Sequence, residues 1–150
     1  MEATLYHELQ QQQIAIATTV DNIHVKYLRR KGMFNNLQEW MAEVNNIYVG
    51  RAGRVYINKT IYPYRQSKWA NPFNLKTLTR EESLARYETH IRDMINKDHN
   101  AKKELLALRG KNLGCWCNPE SCHADVLVKL INELSLSTDT MNIANPSSTQ

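Results

Sequence analysis

Cys115, Cys117 and Cys122 are the three cysteines of the chain, and His123 follows the last of them directly, in the run GCWCNPESCHADVL. Three chemistries compete for these residues. Cys115, Cys117, Cys122 and His123 supply three sulfurs and one nitrogen, the donor types of a tetrahedral Zn²⁺ site. Alternatively, Cys122 or Cys115 is a reactive thiol and His123 its acid, base or phosphate donor, the pairing used in nucleophilic catalysis. The third reading is that small buried cysteines let two elements pack closely. If LGCWC is a strand, its period of two sets Leu113, Cys115 and Cys117 on one face and Trp116 on the other. The turn NPES then opens a helix with Asn118 as cap and Pro119 as first helical residue, which places Cys122 and His123 in the first turn. There the helix dipole favours a thiolate or a bound anion. Adjacent ligands such as Cys122 and His123 diverge by about 100° on a helix, which counts against zinc.

A second set of residues suits an anionic ligand. Arg51 and Arg54 lie in the glycine-bearing turn GRAGR, and Lys68, Trp69, Asn71 and Phe73 lie in SKWANPF. Arginines gripping phosphate beside an aromatic wall would take a nucleotide, a phosphorylated small molecule or nucleic acid, although GRAGR lacks the glycine and lysine placement of a P-loop. The plainer alternative for Trp69 and Phe73 is that they plug the core beneath the loop. Lys26, Arg29, Arg30 and Lys31 form a separate basic stretch. They add general, screened attraction.

The elements that must position these groups are read from periodicity. Ile23, Val25 and Tyr27 alternate with polar residues and predict a strand, with His24 on the surface. Leu37, Trp40, Met41 and Val44 form a helical stripe after Asn36 as N-cap and Glu39 three residues on. Ile47 to Val49 predict a short strand, and VYINKTIY a hairpin turning at Asn58 and Lys59. Thr79 and Glu82 make a capping box that opens a helix with Leu84, Tyr87, Ile91 and Met94 on one face. A further helix ends at Gly110, and Leu127, Leu130, Ile131 and Leu134 mark the core face of the last one. Strands separated by helices favour a single α/β domain with helices packed on a small, partly parallel sheet. No internal repeat is evident.

The 150 residues are 42% hydrophobic and 23% charged, with net charge +4 and pI near 9.0, the balance of one soluble domain. Residues 1–21, with their glutamine run, are expected to be a flexible or peripheral lead-in, 22–135 the domain, and 136–150 a disordered tail. No run approaches the roughly 18 apolar residues of a membrane span, and MEATLYHELQ lacks a secretory layout. An odd, clustered set of thiols points to a reducing compartment, the cytoplasm, or the host cytoplasm or nucleus for a viral protein.

GKNLGCWCNPESCHADVL, with IYVGRAGRVYI and with SKWANPF before the REES helix, resembles the family called domain of unknown function 4326, small proteins of bacteria, phages and large DNA viruses. The resemblance spans about residues 22 to 134 and points to Cys115, Cys122 and His123, with Cys117 less securely shared and Ala124 where the family often has Gly. The end of the motif also resembles domain of unknown function 488. That likeness implies a Rossmann-like layered sheet with flanking helices and a site at the strand-to-helix turn. Taken together, these readings predict a nucleotide or nucleic-acid-related phosphorylated ligand, bound or processed by Cys122, His123 and Cys115 with Arg51, Arg54, Lys68, Trp69 and Asn71. The alternative is a non-enzymatic zinc module that binds nucleic acid or protein.

Overall fold

A computed structural model describes residues 4–5, 17–117 and 120–144. Its core is a parallel sheet of β1 (Thr19–Asn22), β5 (Asn112–Cys115) and β2 (Asn46–Tyr48), with β5 in the centre. Val20 and Ile47 both pair with Leu113, so the three strands are in step. The ladder extends past the strands, since Ile23 N–H donates to the Cys115 carbonyl at 3.0 Å and Val49 N–H to that of Gly114 at 3.2 Å. In a parallel sheet all carboxyl ends share one edge. Ile23–His24, Gly50–Arg51 and Trp116–Cys117 therefore leave the sheet side by side.

Between β1 and β2 lie two short helices, α1 (Val25–Arg30) and α2 (Leu37–Ala42). The first replaces the strand that the alternation of Ile23, Val25 and Tyr27 predicts. Capping decides this: the Asn22 side chain accepts from His24 N–H at 2.9 Å, and His24 Nδ1, at the N-cap, accepts from Lys26 N–H at 3.4 Å. These bonds turn the chain out of extended geometry, and Ile23 and Leu28 become the buried residues while Val25 faces out. The strand lies earlier, at Thr19–Asn22, across the boundary expected between lead-in and domain. α2 starts as predicted, with Asn36 Oδ1 accepting from Glu39 N–H at 2.9 Å and Glu39 reaching back to Asn35 N–H at 2.8 Å.

The hairpin of β3 (Val55–Ile57) and β4 (Thr60–Tyr62) turns at Asn58 and Lys59, which have φ of 49° and 66°. Both being positive is what a two-residue type I′ loop demands. α3 (Arg80–Lys97) carries the full capping box between Thr79 and Glu82. α4 (His99–Leu106) follows, and Gly110 at φ 78° breaks the chain back into β5.

α5 (His123–Ala144) begins later than predicted. Asn118 and Pro119 lie outside the described residues, and Cys122 is the last residue before the helix. It acts as the cap: its N–H donates to Asp125 Oδ2 at 2.9 Å, and its sulfur accepts from Ala124 N–H. At the other end α5 runs on to Ala144, across the Leu136 boundary from which composition predicts disorder. Ser135 is buried there, its hydroxyl donating to the Ile131 carbonyl at 2.7 Å.

Two apolar clusters meet at β5. Leu113 and Cys115 join Tyr87, Ile91, Leu105, Leu127, Leu130 and Ile131 from α3, α4 and α5. On the opposite face, Trp116 packs on a cluster of Ile23, Leu28, Leu37, Trp40 and Tyr48. Gly114 lies between, so close to Trp40 and Ile23 that a Cβ there would clash with both. Among the described residues no helix is long and apolar enough to cross a membrane.

Candidate functional site

A cleft of about 200 Å³ opens at the shared carboxyl edge of the sheet. The β2 end contributes Gly50, Arg51 and Arg54, the β5 end Trp116 and Cys117, the start of α5 His123, and the loop before α3 Asn71, Phe73, Asn74 and Leu75. Of the residues predicted from sequence to form a site, Arg51, Arg54, Asn71, Cys117 and His123 thus face one space. Cys115 and Cys122 lie directly behind it, 0% and 1% exposed.

Lys68 and Trp69 do not belong to the cleft. Trp69 is 4% exposed in the main cluster, and its carbonyl accepts from the buried Tyr87 hydroxyl at 2.6 Å. Lys68 pairs with Glu104 and lies over the Trp69 ring at 5.4 Å from its centroid. The aromatic walls are instead Phe73, from the same loop, and Trp116. Trp116 donates from its indole nitrogen to the Tyr48 hydroxyl at 2.8 Å, and the Arg54 guanidinium carbon lies 5.9 Å from the Trp116 ring centroid.

Arg51 Nε and Nη2 donate to the Asn71 carbonyl at 3.1 and 2.7 Å, and Tyr48 Oη donates to the Arg51 carbonyl at 2.5 Å. Asn71 is fixed in turn: its Nδ2 donates to Ser83 Oγ at 3.0 Å and its Oδ1 accepts from Phe73 N–H at 2.9 Å. Among the described residues neither Arg51 nor Arg54 is paired with a carboxylate. Two positive charges are therefore left for the cleft.

His123 and Cys122 converge despite being sequence neighbours, because Cys122 precedes the helix and escapes its 100° step. Cys122 Sγ is 3.4 Å from His123 Nδ1, and His123 Nε2 is 2.6 Å from the Val49 carbonyl. A carbonyl only accepts, so Nε2 carries the proton and Nδ1 turns a lone pair to the thiol. Burial pushes the imidazole below its ordinary pKa, and the Arg51 charge adds to this against the Val49 bond.

The helix dipole favours an acidic Cys122, but the groups packed around its sulfur push the other way. Hydrogen bonds with Cys115 and Cys117, followed by burial, raise the Cys122 thiol far above the ordinary value. Cys117 is the thiol that is lowered, to about 6, first by its hydrogen bond with Cys122 and then by Arg80, with burial and Glu120 opposing. Arg80, the first residue of α3, is held by Ser121 O at 3.0 Å and Glu120 Oε2 at 2.5 Å. Its arrival from a distant helix has no signature in local sequence. The shared face of Cys115 and Cys117, by contrast, follows from strand alternation.

The donor set does not come together as a metal centre. Among the described residues no three of His, Cys, Asp and Glu are placed to hold a metal ion. His123 spends Nε2 on Val49, and Cys115 is sealed in the core.

The fold and site define a small mixed α/β protein with a thiol, an imidazole and, among the described residues, two arginines without a carboxylate partner at the edge of a parallel sheet. The chain belongs to the family described as Domain of unknown function (DUF4326), which it matches over residues 33–133. It is also 31% identical over 91 residues to the "Uncharacterized 12.4 kDa protein in nrdA-td intergenic region" of Enterobacteria phage T4, covering 57% of this chain and 83% of that one. No solved structure matches it.

Proposed function

We propose that the cleft binds, and through its thiol can process, a nucleotide or nucleic-acid-related phosphorylated ligand. The observation that carries this reading is the meeting of Arg51 and Arg54, free of carboxylates among the described residues, with Phe73, Leu75 and Trp116 on one cleft. Charge for a phosphate and flat apolar walls for a base are what such a ligand requires. In this reading the sheet is a small Rossmann-like layer, in which ligands bind outside the carboxyl ends of the strands.

Binding of a panel of nucleotides and short single-stranded oligonucleotides tests the proposal in Arg54→Ala, Arg51→Lys, His123→Ala and Arg30→Ala at low and moderate salt. A charged hydrogen bond is worth about 1.5–3 kcal/mol, so the Arg54→Ala loss should persist as salt rises. The Arg30→Ala effect should fade, because that side chain lies on α1 away from the cleft and acts through screened attraction. Equal losses that fade together would leave only a basic surface.

A further inference from the structure

We propose that Cys117 and Cys122 form a redox-active dithiol whose substrate is a small hydroperoxide, with Cys117 attacked first and Cys122 resolving. Cys122 follows Cys117 by five positions, Glu120 between them donates its N–H to the Cys117 carbonyl at 2.8 Å, and the two thiols border the same small cavity. Their environments differ in the way such a pair requires. Cys117 is half-buried and lines the cleft, while Cys122 is 1% exposed. An oxidant from solvent reaches the first thiol only.

Arg80 tightens the assignment. It bonds Ser121 O and Glu120 between the two cysteines and borders the same small cavity as Cys117, where its charge favours the thiolate. A second cavity, of about 40 Å³, is bordered by Arg80, Cys117, Cys122 and His123. That space admits a molecule little larger than water, which fits a peroxide and excludes a bulky disulfide. Cys115 also contacts Cys122, but both are sealed in the core, so that pair meets no oxidant first.

The step balances as follows. The Cys117 thiolate attacks the distal oxygen of the hydroperoxide; the O–O bond breaks, the sulfur is oxidised to a sulfenic acid, and the alkoxide or hydroxide leaves with a proton from solvent. Cys122 Sγ then attacks the Cys117 sulfur. The S–O bond breaks, the S–S bond forms, and water leaves with the proton that Cys122 gives up, His123 Nδ1 lying 3.4 Å away to relay it.

The full-length protein is treated with stoichiometric hydrogen peroxide, with metal content measured on the same sample, and its thiols are mapped by mass spectrometry. The expected product lacks two hydrogens, retains the Cys115 thiol, and carries a Cys117–Cys122 bond that a dithiol reductant removes. Cys122→Ser should stop at a Cys117 sulfenic acid trapped by a dimedone-type probe, and Cys117→Ser should give neither product. Cys115→Ala should still form the bond, and Arg80→Gln should form it more slowly. A bond that includes Cys115, three thiols that resist peroxide until the protein unfolds, or protection relieved by a chelator would overturn the proposal.

Discussion

At the scale of single residues, Cys117 and His123 tie the cleft to pH with the same sign. The Cys117 thiol titrates at about 6 in the fold, against an ordinary value of about 8.5 for the unfolded chain. Between those values the unfolded chain still holds a proton that the folded chain has lost, so stability rises with pH across the window and is lost as pH falls toward 6. His123 is depressed below its ordinary value of about 6.5, so below that pH the unfolded chain protonates first and stability falls again. Thermal midpoints should therefore decline from pH 8.5 to 5.5. Cys117→Ser should flatten the upper half of this decline and His123→Gln the lower half. A Cys117→Ser protein with the parent's slope above pH 6 would show that this thiol is not ionised in the fold.

At the scale of elements, β5 is the member with least tolerance. Gly114→Ala puts a methyl group against Trp40 and Ile23, which are 0% and 1% exposed and have nowhere to retreat. Overpacking of this kind costs about 1–3 kcal/mol. Lys68→Ala breaks an ion pair whose partners are 45% and 53% exposed, and should change stability by under about 0.5 kcal/mol. Urea unfolding of both variants checks the ranking, and comparable losses would contradict it. The same contrast separates what could be read in the sequence from what could not. The α3 capping box and the Asn58-Lys59 turn are local patterns that appear where predicted, and Leu113, Cys115 and Cys117 pack on one cluster as their alternation predicts, although the strand ends at Cys115. The strand expected at residues 23–27 is absent because side-chain capping by Asn22 and His24 overrides an alternation that spans only a few residues. Arg80 reaching Cys117, and Trp69 turning to the core while its neighbour Phe73 faces the cleft, depend on how distant elements dock.

At the scale of the whole molecule, both faces of the fold are anchored on one late strand. Among the described residues β1 and β2 do not pair with each other; each pairs only with β5, across the central Leu113 and Gly114. A fragment ending at Lys111 therefore keeps α1 to α4 in sequence but loses β5, the strand with which both β1 and β2 pair. It should unfold without a cooperative transition and bind a hydrophobic dye, in contrast to the full chain. A sharp transition in that fragment would mean that the strands find another pairing. The same topology bears on how the protein is made. A ribosome releases the N-terminal segments first, and until residues 112–115 leave the exit tunnel, β1 and β2 wait as separate open edges with Ile23 and Trp40 unsheltered. Protection of both apolar faces thus waits on one short strand that closes the sheet from the middle.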